Sequence, residues 1–242
     1  MGRIQSYLKC KLMAIALFSL ISLNFINYVF AAPNEFELYS VNAKPYNTSL
    51  MEWTTKWWQW VLAIPANVNP TNDPSGKFCS TNQSGPVWYL AGTIGGDQER
   101  ECTIPGGKAI LIPIVNVECS AQEEGNSNIE YLKGCAKGFI DTYRIAIGNL
   151  IFKIDDNEIR NLSSFRVQSD LFNATYGEPP IYGPLHENQP PYAISDGYWI
   201  FLKPLPAGNH RIELSASNTD ELKTTSGEAF KTGVKYNLHV TG

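Results

Sequence analysis

The run Ala109-Ile110-Leu111-Ile112-Pro113-Ile114-Val115-Asn116-Val117 constrains the fold more than any other part of this chain. It shows no apolar/polar alternation. A strand made from it therefore presents apolar side chains on both faces of a sheet and needs cover on both. Pro113 offers no N–H to a ladder, so it is expected at a bulge or at an edge.

One segment suited to covering such a strand lies upstream. Ser49-Leu50-Met51-Glu52 fits a capping box, in which the serine oxygen accepts from the glutamate N–H and the glutamate reaches back. Leu50, Trp53, Trp57, Trp60 and Ile64 then fall at helical spacing on one face, with Met51, Trp58 and Leu62 roughly opposite. Pro65 ends the run, because the residue before a proline resists the α conformation. A helix apolar on both faces is usually buried on both. It is expected to lie across a sheet; a tryptophan platform for stacking sugars is the competing reading. Trp58, off the main stripe, is the ring expected to be exposed.

The rest reads mainly as strands. Residues 87–91 and 198–203 carry aromatic strands, 210–217 an apolar one, and 234–240 alternates Val234, Tyr236, Leu238 and Val240. Asp155-Asp156-Asn157 is a hairpin turn between residues 150–154 and 158–162. A second helical stripe runs through Ile129, Leu132, Ala136, Phe139, Ile140 and Tyr143, weakened by Gly134 and Gly138. Residues 173–191 form a Pro/Gly/Tyr loop too long for a plain connection. The expected fold is mainly β (α+β): an antiparallel β-sandwich, or jelly-roll-like, domain with one or two packed helices.

The N-terminus bears on location. Arg3, Lys9 and Lys11 precede an apolar stretch over residues 14–30, which closes on Val29-Phe30-Ala31. That order is a secretory signal cut after Ala31; uncut, the segment is long enough to serve as an anchor. Residues 32–242 then form one exported domain, secreted or held at the cell surface. Loss of the three cations moves the formal charge from -4 to -7. An acidic exported part makes nucleic acid an unsuitable partner, since binding it needs a cationic surface.

Cys10 leaves with the signal. Cys79, Cys102, Cys119 and Cys135 remain, an even set in an oxidising compartment. They allow three pairings. Cys79–Cys102 is favoured because it ties the two ends of the excursion through residues 87–90. Cys119–Cys135 closes the polar loop over residues 121–128. Each is worth roughly 3 kcal/mol in the chain-entropy model. Absence of a C-x-x-C pair speaks against a metal cluster. Asn47, Asn82, Asn161 and Asn173 each begin an Asn-x-Ser/Thr sequon, a glycan acceptor in an exported protein.

Trp57-Trp58-Gln59-Trp60, Gly85-Pro86-Val87-Trp88-Tyr89-Leu90-Ala91-Gly92-Thr93, Ile104-Pro105-Gly106-Gly107-Lys108 and Ser195-Asp196-Gly197-Tyr198-Trp199 resemble phrases of a group of uncharacterised exported microbial proteins. The resemblance spans most of the exported chain. It implies a single exported domain and brings no activity with it.

Catalytic signatures are missing from the sequence. His186-Glu187 stands without a second histidine, so no H-E-x-x-H is formed, and no G-x-S-x-G, P-loop or G-x-G-x-x-G occurs. No cofactor is called for. One polar set remains: Asn116, Glu118 and Ser120 alternate with Val117 and Cys119 and so share a strand face. Asp196 precedes the Tyr198-Trp199 strand, and His186 lies in the long loop. If their strands are neighbours, Glu118 and Asp196 share a cleft, and paired carboxylates of this kind serve glycoside hydrolysis. Two functions are therefore open. One is a non-catalytic extracellular or cell-envelope protein that binds a glycan or surface component, with Trp58, Trp88 and Trp199 as the contacting rings. The other is a secreted hydrolase using Glu118 and Asp196, assisted by His186.

Overall fold

The structure, a computed structural model, describes residues 36–142, 149–218 and 230–242. The signal segment and Tyr143 lie outside the described residues. Everything described belongs to one unit, Asn34–Gly242.

The apolar run is the core of β3 (Ala109–Ser120), and every residue from Ala109 through Val115 is buried. It pairs in parallel with β1 (Val87–Tyr89) and antiparallel with β8 (Tyr192–Leu202). Two short strands, β6 (Arg166–Gln168) and β7 (Phe172–Asn173), also pair with β8. A second sheet runs in the order β2 (Gly96–Ile104), β10 (Lys231–Val240), β9 (Gly208–Ser217), β4 (Ile151–Ile154) and β5 (Asn157–Glu158). The expected mainly-β sandwich is therefore the fold. Both sheets are mixed where an antiparallel pattern was expected, because β2 runs parallel to β10 and β1 parallel to β3. Residue pattern encodes which face a side chain takes, not the direction of the neighbouring strand.

Cover on two sides is supplied as the run requires. Ile110, Ile112 and Ile114 meet Phe152, Ile212, Leu214, Tyr236 and Leu238 between the sheets. Ala109 and Leu111 meet α1 (Leu50–Leu62) on the outer face, with Trp57, Trp199 and Phe201. The capping box at Ser49 forms in both directions: Ser49 Oγ accepts from Glu52 N at 3.3 Å, and Glu52 Oε2 accepts from Ser49 N at 2.7 Å. Three rings of the stripe donate to backbone carbonyls: Trp53 to Pro45, Trp57 to Leu90 and Trp60 to Thr81. These indoles are core struts, with their polar handles satisfied inside the fold.

At the far end of β3 the chain turns through α2 (Ala121–Glu124) into α3 (Ile129–Thr142). Leu132 and Ala136 of α3 pack on Cys119, Ala121 and Ile194. Both expected disulfides are present, Cys79–Cys102 and Cys119–Cys135. The first ties the loop after α1 to β2, and the second ties β3 to α3. Such bonds suit an extracellular or otherwise oxidising environment. Among the described residues no helix is long and apolar enough to cross a membrane.

Candidate functional site

Pro113 sits at a bulge. It stands opposite Trp199, whereas Val115 stands opposite Tyr198, so Ile114 is an extra residue on β3. The insertion reverses the phase of the strand. Before it, even-numbered side chains face the other sheet; after it, odd-numbered ones do. Asn116 and Glu118 consequently emerge on the outer face beside α1, as Leu111 and Pro113 do, instead of pointing into the sandwich. Gly197, opposite Asn116, makes the close approach possible: a Cβ there would lie 2.6 Å from Asn116 Cβ and 2.7 Å from Val115 O.

β1 pairs with β3 only as far as Leu111. Past that point the open edge of β3 lines a cavity of about 290 Å³. Trp57 and Trp58 of α1, Phe139 of α3, Phe230 and Tyr182 supply aromatic wall; Asn116, Glu118 and Glu123 supply polar wall. Among the described residues no lysine, arginine or histidine lines it. Arg100, almost fully buried behind it, fixes its rim. Its Nη1 donates to the carbonyls of Ala91 and Gly92, each at 3.0 Å, and its Nη2 to Thr71 O at 3.1 Å. The expected second helix contributes too, since Phe139 comes from it.

The carboxyl groups of Glu118 and Glu123 are neighbours, and each bears on the other's protonation. Ser120 between them caps α2, its Oγ accepting from Glu123 N at 3.1 Å and from the Tyr176 hydroxyl at 2.7 Å. This cap folds the chain back and brings Glu123 over Glu118. Burial first, and the facing Glu123 second, hold Glu118 well above the ordinary carboxylate range. Burial likewise raises Glu123, against hydrogen bonds to Glu118 and Ser120 that lower it. Apart from the neighbouring Glu123 carboxyl, neither oxygen of Glu118 has a hydrogen-bond partner among the described residues. The same holds for three donors of the wall: Trp58 Nε1, Asn116 Nδ2 and Thr71 Oγ1. Buried polar groups are ordinarily paired, so a cluster of unpaired ones around a cavity marks a place for a ligand.

The remaining expected site residues go elsewhere. Register places Glu118 opposite Ser195 and Val117 opposite Asp196. Cross-strand partners share a face and strand neighbours do not, so Glu118 and Asp196 leave the sheet on opposite sides. The expected shared cleft does not form, although their strands are neighbours. Asp196 is instead clamped by Arg166, through Nε at 2.9 Å and Nη2 at 2.7 Å, and Arg166 also reaches Asp141 of α3 at 2.7 Å. His186 is exposed. Its backbone N–H donates to Gln122 O at 2.7 Å and its ring lies against Gly125, outside the residues lining the cavity.

Trp58, expected to be exposed, is only 2% exposed, because the face of α1 opposite the stripe is covered as well. It nevertheless lines the cavity with Glu118. Trp88 (7% exposed) lies between the sheets and Trp199 (0%) under α1, so neither can stack a ligand. Asn47, Asn82, Asn161 and Asn173 are all exposed, as glycan acceptors must be.

No family model matches the chain, and no curated protein matches it. Among solved structures, the cysteine protease inhibitor EhICP2 from Entamoeba histolytica is similar over 63% of this chain and 92% of its own, at 14% identity and a TM-score of 0.21. A likeness at that level carries no argument about this chain.

Proposed function

We propose that this is an exported, non-catalytic binding protein that holds a small saccharide-type component of the cell envelope or its surroundings in the Glu118 cavity. The observation that carries this is the combination of aromatic wall with unpaired donors and unpaired acceptors around one space of about 290 Å³. A sugar matches it: hydroxyls both donate and accept, and the apolar ring faces stack on indole. Two disulfides and four exposed sequons support export. Catalysis finds less support. Asp196 is committed to Arg166 on the other face of the sheet, so the carboxylate pair that would serve glycoside hydrolysis does not share a cleft.

Tryptophan fluorescence titration with hydrolysates of envelope polysaccharide tests the reading. Saturable binding is expected, weakened at least about tenfold by Asn116→Leu and left intact by Asp196→Asn. Binding that Asn116→Leu does not disturb, or release of shortened saccharides during incubation, would overturn it. Export itself is checked by recovering the protein from the medium or envelope fraction with Ala32 as its first residue.

A further inference from the structure

The cavity carries a more specific chemical demand than a sugar ring alone. Its ionisable side chains are all acids, the neighbouring carboxyls of Glu118 and Glu123 and the Tyr182 phenol, and among the described residues no cation lines the space to balance them. Desolvated acids normally end up beside a cation or give up their charge. Among the described residues the relief is protonation, which burial and the neighbouring Glu123 favour at Glu118. Glu118 is more than nine-tenths buried and its oxygens accept from no donor; Trp58, equally buried, lines the same space with its indole N–H unpaired. Hydroxyl groups of a neutral ligand would satisfy the oxygens without balancing the charge.

The walls point the same way. Trp57 and Trp58 meet nearly edge to face, with ring centroids 5.1 Å apart and planes at 87°. Phe139 and Phe230 do the same at 6.1 Å and 88°. Tyr182 stands at the rim. Rings set at right angles around a space offer it π-faces from several directions, and a π-face attracts a cation. Acid at one end with rings around the remainder is therefore a receptacle for a positive group on a carbon framework. A hydrated metal ion suits it poorly, since metal sites need several oxygen ligands and the wall is chiefly apolar.

We propose that the ligand presents a protonated amine to the Glu118–Glu123 pair, with the aromatic wall packing around the carbon skeleton that carries it. This rests on the cavity being the ligand site. The ammonium becomes the counter-charge of the pair, which gives up its protons, and supplies up to three N–H donors to oxygens that have none. Asn116 Nδ2 and Trp58 Nε1 are then left for acceptor groups on the same ligand, which fits an amine-bearing sugar.

Titration of the full-length protein with glucosamine, N-acetylglucosamine and glucose, followed by tryptophan fluorescence and by calorimetry, tests this. The three probes differ at one position, which is an ammonium, an amide or a hydroxyl. Glucosamine is expected to bind at least about tenfold tighter than the other two, the worth of a desolvated charge pair and cation–π contact together. Glu118→Gln and Glu123→Gln, each checked for native circular dichroism, are expected to abolish that preference. If either fails to fold, Trp58→Phe, which keeps the ring face and the carboxyls, is expected to retain it. Equal affinity for the three probes, or a preference that survives both glutamine variants, overturns the amine and leaves the cavity as a saccharide site. No binding by any of them at millimolar concentration overturns the cavity as the site as well.

Discussion

Replacing Glu118 by glutamine isolates what the buried carboxyl pair does to the fold. Glutamine has almost the same shape, cannot ionise, and brings N–H donors that Glu123 can accept. The titratable groups facing Glu118 are Glu123 and Glu124 on α2 and Tyr176 and Tyr182 on the long loop, all acids. Glu118 and Glu123 both hold their protons more tightly when folded than at the ordinary value of 4.5. Well below that value both states are protonated and the contribution of the pair is fully present. As pH rises the unfolded chain sheds these protons first, so stability is lost progressively up to the folded-state values. Glu118→Gln removes one of the two groups responsible. Leaving a buried polar group unpaired costs about 1–3 kcal/mol, and more when it is charged. The variant is therefore expected to be more stable than the wild type by about that amount near pH 8, and to differ little near pH 4. For a chain of this size that is a melting-temperature gap of roughly 2–12 °C at the higher pH. Thermal melts followed by circular dichroism, in buffers of matched ionic strength, read it directly. Parallel stability–pH curves for the two proteins, or a variant less stable near pH 8, would show that the carboxyls are not paired in a desolvated site.

Three further outcomes are expected. Gly197→Ala drives a Cβ into Asn116 Cβ at 2.6 Å, and β3 must shift at its bulge; a loss of about 1–3 kcal/mol in urea unfolding is expected, with weaker ligand binding, and an unchanged midpoint would sink the steric argument. Arg166→Met strands the buried Asp196 without its partner and should cost about 3–5 kcal/mol, most of it recovered when Asp196→Leu is added; no recovery in the double variant would mean the clamp acts through packing instead. Replacing Cys119 and Cys135 together by serine removes a closure between positions 16 residues apart and should cost roughly 3 kcal/mol, read as a lower urea midpoint at constant m-value.

Much of the frame is visible in the residues themselves because it rests on local physics. The unbroken apolar run needed two covers and has them, Pro113 sits at a bulge, and the Ser49–Glu52 box starts α1. The cysteine pairing follows from short loops around compact excursions. β2 escaped notice because the buried phase of its alternation passes through Arg100, a residue that reads as solvent-facing; the carbonyls of Thr71, Ala91 and Gly92 and the Tyr236 hydroxyl make its burial tolerable. Glu123 escaped for a related reason. Ser120-Ala121-Gln122-Glu123 has the same cap spacing as Ser49 to Glu52, yet residues 121–128 read as a polar loop. The serine does cap the turn, but Glu123 turns toward Glu118, whereas Glu52 closes its own box. A capping pattern whose glutamate is drawn away is a signal available in sequence, though only the fold shows what draws it.

The false pairing of Glu118 with Asp196 has its cause in one residue. The shared cleft was expected on the condition that the two strands are neighbours, and they are; residues of neighbouring strands at the right offset do share a face. Ile114 changes the offset: an unbroken ladder would set Asn116 across from Asp196, on the same face as Glu118, whereas the bulge sets Val117 there. A bulge at this place is inexpensive, because Pro113 already withholds an N–H from the ladder and the β1 partner has ended at Leu111. Its effect on the chemistry is large. Were Ile114 paired in a regular ladder instead of bulged out, Glu118 would continue the phase of Ile110 and Ile112 and enter the apolar space between the sheets, where an acid has no tolerable state. With the bulge, the same side chain reaches the outer face at the open edge of β3, beside Trp58 and beneath Glu123. The run that fixes the sandwich and the bulge that interrupts it are thus one design, in which the interruption moves a carboxyl from where the core would exclude it to where a cavity can use it.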